Sequence, residues 1–252
     1  MVTALTATPD TTAGTVLLSI TGAPAGAVVL TRTDVNGANP VRMRTGQAVS
    51  SGSLILTDYE PALTGGISYD VVDSAGTRKS AATTLEKPGG YLERFAAVQV
   101  PSSQHVATLI TGYDAERPTS TTVHEIVGRE DPVPVVGPLR LRRGSLEVFS
   151  KDYAEARHAA ATASAPLLMF RQSDYPGMDM WLTPTRIRTR PLEETAGGWR
   201  WSTTIEYVEV RPPRVPLLGD AGWTFDDVAA TYPTFAAVRS TYATFADLLV
   251  GP

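Results

Sequence analysis

The chain has 252 residues, 42% of them hydrophobic, enough for one large domain or two ordinary ones that each bury a core. It holds no cysteine, which excludes a disulfide framework, a cysteine-ligated zinc site and a thiol nucleophile. A formal net charge of -4 argues against broad electrostatic binding to nucleic acid or to an anionic membrane surface.

The opening MVTALTATPDTTAGTV lacks a basic region followed by an apolar run, and no apolar segment approaches membrane-spanning length. The expectation is a chain without a signal peptide, made in a cytoplasm. From Thr15 to about Leu85, short apolar or alternating runs follow one another: TVLLSI (15–20), AVVLTRT (27–33), SLILTDY (53–59) and ISYDVVD (67–73). Breaks at GAPAG, NGANP, SSG, TGG and SAG separate them, and this spacing predicts a β-sandwich over 1–87. The SAG turn, Ser74 to Gly76, suits a hairpin because glycine takes the positive φ such turns need. The phrase DYEPALTGGISYDVVDSAG (58–76) resembles the end of a fibronectin-type-III or immunoglobulin-like sandwich: an acidic-aromatic pair, Pro61, a turn, then a strand carrying Tyr69.

Pro88-Gly89-Gly90 marks the boundary of a second domain over 88–212, since proline cannot continue a ladder and glycine is conformationally free. Strands are expected near Phe95–Val100, Val106–Thr111 and from Val123, with an exposed turn at GYDAERPTST. The prolines Pro132, Pro134 and Pro138 make the next segment an edge or a loop. The basic strip LRLRRG (139–144) reads as the start of a strand with Arg140 and Arg142 on one face, suited to ion pairs across a subunit interface or, secondarily, to nucleic-acid contact. Farther along that strand, Leu146 and Val148 share a face.

An Ala-rich helix is predicted at KDYAEARHAAATA (151–163), with Asp152 and Glu155 favouring its first turn. Strands return at APLLMF (165–170), at 178–194 and at GWRWSTTIEYVEVRPP (198–213). In the last, Trp199, Trp201, Thr203, Ile205 and Tyr207 alternate onto one face. The fold class is therefore mainly β: a sandwich, a second β-rich domain with one short helix, and a C-terminal arm.

That arm, 213–252, begins with the linker RPPRVPLLGDAG (211–222), whose three prolines are expected to hold it semi-extended and apart from the sheet. Thr224-Phe225, Thr234-Phe235 and Thr244-Phe245 then recur every ten residues, followed by Val228, Val238 and Leu248. Each threonine can cap a short helical turn, and each aromatic shares a helix face with the aliphatic residue three positions on. Single turns are unstable alone, so they must dock, either on their own molecule or on a neighbour.

The order of phrases in the second half is similar to that of minor tail proteins of actinobacterial long-tailed phages, related in layout to distal tail proteins. The matching residues are GREDPVPVVGPLRLRRGSLEVFS (128–150), the helix with APLLMFRQSDYPGMDMWLTPTRI, the closing strand WRWSTTIEYVEVRPP, and the ten-residue terminal repeat. Ala236-Ala237 depart from the acidic residues common in that repeat, and phenylalanine replaces its usual tryptophan. The resemblance implies a non-enzymatic virion protein of the tail tip or baseplate. It implies a homo-oligomeric ring or cluster in contact with other tail proteins, assembled in the host cytoplasm, with no cofactor and no small-molecule substrate. Interface residues are then expected at Trp223, Phe225, Val228, Phe235, Val238, Phe245 and Leu248, together with Arg140 and Arg142.

The search for chemistry yields little. His105, His124 and His158 have no metal-ligand spacing, and neither a nucleophile elbow nor a phosphate loop is present. The carboxylate pairs Glu130-Asp131, Glu193-Glu194 and Asp226-Asp227 read as solvated turns, and His158 as a rim residue. An alternative function is a carbohydrate-binding module for host cell-wall glycan, with Tyr113, Tyr175, Trp181 and Trp223 as an exposed aromatic platform.

Overall fold

A computed structural model describes residues 4–44, 47–49, 52–86, 93–101, 104–109, 113–175, 177–195, 198–214, 217 and 234–241. The protein is mainly β.

The first module contains seven strands: β1 (Ala4–Asp10), β2 (Thr15–Thr21), β3 (Val29–Asp34), β4 (Gly37–Pro40), β5 (Ser53–Asp58), β6 (Gly66–Val72) and β7 (Arg78–Thr84). They form a three-stranded sheet, β1-β2-β5, and a four-stranded sheet, β4-β3-β6-β7, both antiparallel. Alternation drives the packing. Val16, Leu18 and Ile20 of β2 and Leu54 and Leu56 of β5 meet Leu30 of β3 and Ile67, Tyr69 and Val71 of β6 in one core. Strands β1, β4 and β7 lay outside the runs expected from the sequence. NGANP in particular is no break: Val35 and Asn36 form a two-residue turn, and Gly37 opens β4 with a φ of 90°. The hairpin at Ser74–Gly76 forms as expected, with Asp73 Oδ1 accepting from the amides of Ala75 and Thr77.

The second module contains β8 (Glu93–Ala97), β9 (His105–Leu109), β10 (Asp114–Glu116), β11 (Thr122–His124), β12 (Val133–Val135), β13 (Arg143–Ser150), α1 (Tyr153–Ala163), β14 (Leu168–Gln172), β15 (Met180–Thr195) and β16 (Gly198–Val210). Seven of these strands run in the order β10-β13-β16-β15-β14-β8-β9, and β9 pairs again with β13, so the sheet closes on itself as a barrel. Inward side chains alternate as the pleat demands: Phe95, Leu146, Val148, Leu168, Phe170, Met180, Leu182, Ile205 and Tyr207 fill one core with Ala159 and Ala163 of α1. The helix begins where the sequence places it, capped by Asp152, whose Oδ1 accepts from the Glu155 amide at 2.8 Å.

β15 and β16 outrun the barrel as a long hairpin. Burial is confined to Met180–Leu182 of β15 and to Ser202, Thr203, Ile205 and Tyr207 of β16; Trp199 near the tip is exposed, and Trp201 packs at a tilt against Tyr153 with ring centroids 4.9 Å apart. Register shifts in β15 fall between Pro184 and Arg186 and between Pro191 and Glu193, where a proline lacks the amide a regular ladder needs. The short α2 (Phe235–Thr241) belongs to the C-terminal arm.

Gly144 marks the closest approach of two backbones, because a Cβ there would collide with the Asp114 carbonyl of β10. Gly144→Ala is therefore expected to separate β10 from β13 and to lower stability by about 2 kcal/mol. A urea denaturation midpoint unchanged from wild type would contradict this.

Candidate functional site

The two modules meet across a buried polar junction built from the outer face of the barrel. On β14, Leu168 and Phe170 point inward, so Met169 and Arg171 point outward; on β8, Arg94 pairs with Arg171 and takes the same face. Two adjacent guanidinium groups thus confront the sandwich. Their partners are carbonyls of the β1–β2 loop, which Asp10 shapes by accepting from the amides of Thr12 and Ala13 at 2.9 and 2.8 Å. Gly14 closes that loop with a φ of 65° and donates to the Asp10 carbonyl. Three successive carbonyls are turned toward the barrel: Thr12 accepts from Arg94 Nη2, Ala13 from Gln104 Nε2 at 2.9 Å, and Gly14 from Arg171 Nη1 at 2.8 Å. Arg171 also donates to the Pro61 carbonyl at 2.9 Å, reaching the β5–β6 loop.

Charge is balanced behind these contacts. Arg32 on β3 is 1% exposed; its Nη1 donates to both oxygens of Asp58 at 2.9 Å, and its Nε lies 2.9 Å from Asp34. Tyr69 donates its hydroxyl proton to Asp58 at 3.0 Å, and Asp34 accepts from the Ala62 amide. Asn36 then crosses the junction, donating to Asp179 Oδ2 at 2.7 Å, while Asp179 Oδ1 accepts from the Gln172 amide. Burial pushes the Asp179 carboxyl up, against the opposing pull of its bonds to Gln172 and Asn36. Burial also pushes Arg171 down to about 10, although Asp179 and Asp58 favour its charge, so it stays a cation at neutral pH.

Arg142 is part of this framework. The strip LRLRRG is not a strand before Arg143, so Arg140 and Arg142 do not share a strand face. Arg140 is exposed, whereas Arg142 forks the carboxylate of Glu209, with Nε and Nη2 bonds of 2.9 and 2.8 Å. Its Nη1 also donates to the Tyr113 hydroxyl and the Gly177 carbonyl. Burial opposes the Glu209 charge, but the bonds from Arg142 prevail and hold that carboxylate below its ordinary range. Arg142, expected at a subunit interface, is thus engaged within its own chain.

Other expectations change too. Trp181 is 8% exposed and packs with Val98 and Met169, so it offers no face to a sugar. Tyr113 is engaged by Arg142, leaving Tyr175 as the exposed member of the expected platform among the described residues; Trp223 lies outside them. The described part of the linker bonds to the first module: the Leu217 amide donates to the Met43 carbonyl, and Arg42, forked to Glu60, donates to the Pro213 carbonyl. In the arm, Thr234 Oγ1 accepts from the Ala237 amide at 3.2 Å, the expected cap, and Val238 is buried. The side chain of Phe235, and residues Phe225, Val228, Phe245 and Leu248, lie outside the described residues.

Between β10 and β13 the chain forms a ribbon, β11 against β12, joined by the Thr119–Leu139 bridge. Gly137 sits where any Cβ would meet Ser120, which lets the two strands of the ribbon close. Its apolar side chains point into solvent: Val123, Ile126, Val127, Val135, Val136 and Leu139 are all exposed, Val127 completely. Glu130 and Asp131 are exposed at its turn, as expected, and Asp131 pairs with Arg129.

Among the described residues, no group of three or more histidine or acidic side chains is arranged to hold a metal ion, and no helix is long and apolar enough to cross a membrane. No protein-family model matches the chain, and no curated protein matches it.

Arg171→Met keeps the volume but strands two carbonyls and the Asp179 charge. The expected loss is about 3 kcal/mol in urea denaturation, with faster amide exchange in the β1–β2 loop. A loss below about 0.5 kcal/mol would show that the junction does not depend on this cation.

Proposed function

We propose that this protein is a structural component of a phage tail, acting in the tail tip or baseplate and joining the tail tube to the host-recognition apparatus. The observation that carries the reading is the ribbon of β11 and β12. It projects aliphatic side chains into solvent from a body whose two modules are locked by buried arginines. A rigid body with a protruding element that exposes several aliphatic side chains suits a protein whose work is assembly, because exposed apolar surface is what contacts with neighbours bury.

Two further features support it. The sandwich places its first, second and fifth strands in one sheet and its fourth, third, sixth and seventh in the other. We read this order, with Tyr69 bonded across to the end of β5, as fibronectin-type-III-like, in line with the phrase at 58–76. The closed barrel with a single packed helix agrees with the β-rich, one-helix domain expected from the residue pattern over 88–212, the segment that carries the tail-protein resemblance. In this reading the protein forms a homo-oligomeric ring or cluster, and the exposed Arg140 and the repeats around Trp223, Phe225, Val228, Phe235, Phe245 and Leu248 serve contacts with neighbours. Val238 is already buried within its own chain, so its repeat packs at least partly in cis.

The test is immunogold electron microscopy with an antibody raised to residues 1–85, applied to virions whose genome encodes this chain. Label confined to the tail end is the expected result. Virions that carry no label, and no peptide of this chain by mass spectrometry, would overturn the reading.

A further inference from the structure

Helix α1 is attached to the barrel mainly by small side chains. Its buried residues are Ala156, Ala159, Thr162 and Ala163, which remove little apolar area from water compared with leucine or phenylalanine anchors. Two larger contacts supplement them. Tyr153 stacks on Trp201 at the first turn, and in the middle His158 meets His105 of β9 with the two Nδ1 atoms 2.9 Å apart.

That separation is a hydrogen bond only if one Nδ1 carries a proton and the other presents its lone pair. A single added proton, on the exposed His158, preserves the bond. A second, on His105, sets two N–H donors and two positive charges against each other. His105 is 4% exposed, stacks beside Phe95 of β8 at 5.1 Å between centroids, and buries an Nε2 that has no partner among the described residues. An imidazolium there would lose its hydration without gaining a bond.

The charged groups around the pair are few. From α1 itself, Glu155 lies one turn before His158, but its carboxylate accepts from the Lys151 amide at 2.7 Å; Asp152 is engaged in capping, and Arg157 is exposed. From β8, Arg94 turns to the opposite face and donates to the Thr12 carbonyl, and Glu93 pairs across to Ala107 rather than His105. Gln104, next to His105, donates to Ala13. Among the described residues, Glu155 is thus the carboxylate that favours a charged His105, and burial and His158 outweigh it, holding the imidazole below its usual range.

We propose that the His105–His158 contact is a proton-operated latch: it holds α1 on the barrel at neutral pH and releases the helix on acidification. The sign follows from linkage. A histidine depressed in the folded state contributes stability that is full above its unfolded value of about 6.5, and that is lost as pH falls toward the folded value. The attached state of the helix weakens over that interval, while strands remote from the pair do not respond.

The experiment is amide hydrogen exchange on the full chain at about pH 7.5 and about pH 5, with rates corrected for intrinsic pH dependence. The expected result is a severalfold loss of protection over 156–163, with the amides of β6 in the sandwich unchanged, since the helix opens as a local unit. His158→Gln, at an exposed position, supplies an amide oxygen that can accept from a protonated His105, and should reduce the loss to less than about twofold. Equal protection of α1 at both pH values, equal loss in α1 and β6, or a His158→Gln protein as pH-sensitive as wild type would each overturn the latch.

Discussion

Two arginines side by side on the outer face of a barrel would repel each other and resist burial. What makes Arg94 and Arg171 tolerable is a loop of the other module that turns the Thr12 and Gly14 carbonyls toward them, with the Ala13 carbonyl between taken by Gln104. Each guanidinium is planar and cannot be discharged, so its donors must be met by acceptors in fixed positions. That demand propagates. Asp10 must shape the loop, Gly14 must adopt a left-handed φ, and the β5–β6 loop must deliver the Pro61 carbonyl to the same cation. A buried cation is weak evidence for net stability, but it is strong in specifying arrangement, because few orientations of the two modules satisfy all of its bonds.

The sandwich and the barrel respond to this constraint from opposite sides. In the sandwich, Arg32, Asp34, Asp58 and Tyr69 form a buried polar group next to the apolar core, and Asn36 carries it across the junction to Asp179. In the barrel, Arg142 grips Glu209 and the carbonyl of Gly177, steadying the loop that carries Asp179. The linker after β16 adds a third tie through Arg42 and Met43. Together these contacts make the relative placement of the modules a property of the fold. The apolar ribbon and the long hairpin are therefore projected from a single body.

Dynamics are then expected at the elements this framework does not reach. Helix α1 rests on alanines and on the His105–His158 contact, and the ribbon of β11 and β12 is a two-stranded piece of a kind that is marginal in isolation. In the proposed readings, assembly contacts and pH response thus fall to the lightly held parts, while the arginine junction keeps their frame of reference constant.

Period-two alternation read along the chain was sufficient for β2, β3, β5, β6 and β16, and alanine content with Asp152 was sufficient for α1, because those signals are local. The Thr234 cap was legible for the same reason, as it needs only a hydroxyl and an amide three residues apart. β1, β4 and β7 carry threonine, alanine and glycine rather than an apolar stripe, and they become strands because a neighbour offers a ladder. Arg142 looked like a free surface cation because Glu209 is 67 residues away in sequence; Trp181 looked like a sugar platform because nothing local covers it. The Arg171 junction was the least visible feature of all. An arginine after the apolar run APLLMF hints at burial, but its carbonyl partners lie 110 and 157 residues away, and a backbone oxygen carries no residue signature. Local pattern thus sets which segments can be strand or helix, while burial of charge, which depends on what the folded chain brings alongside, sets how they are joined.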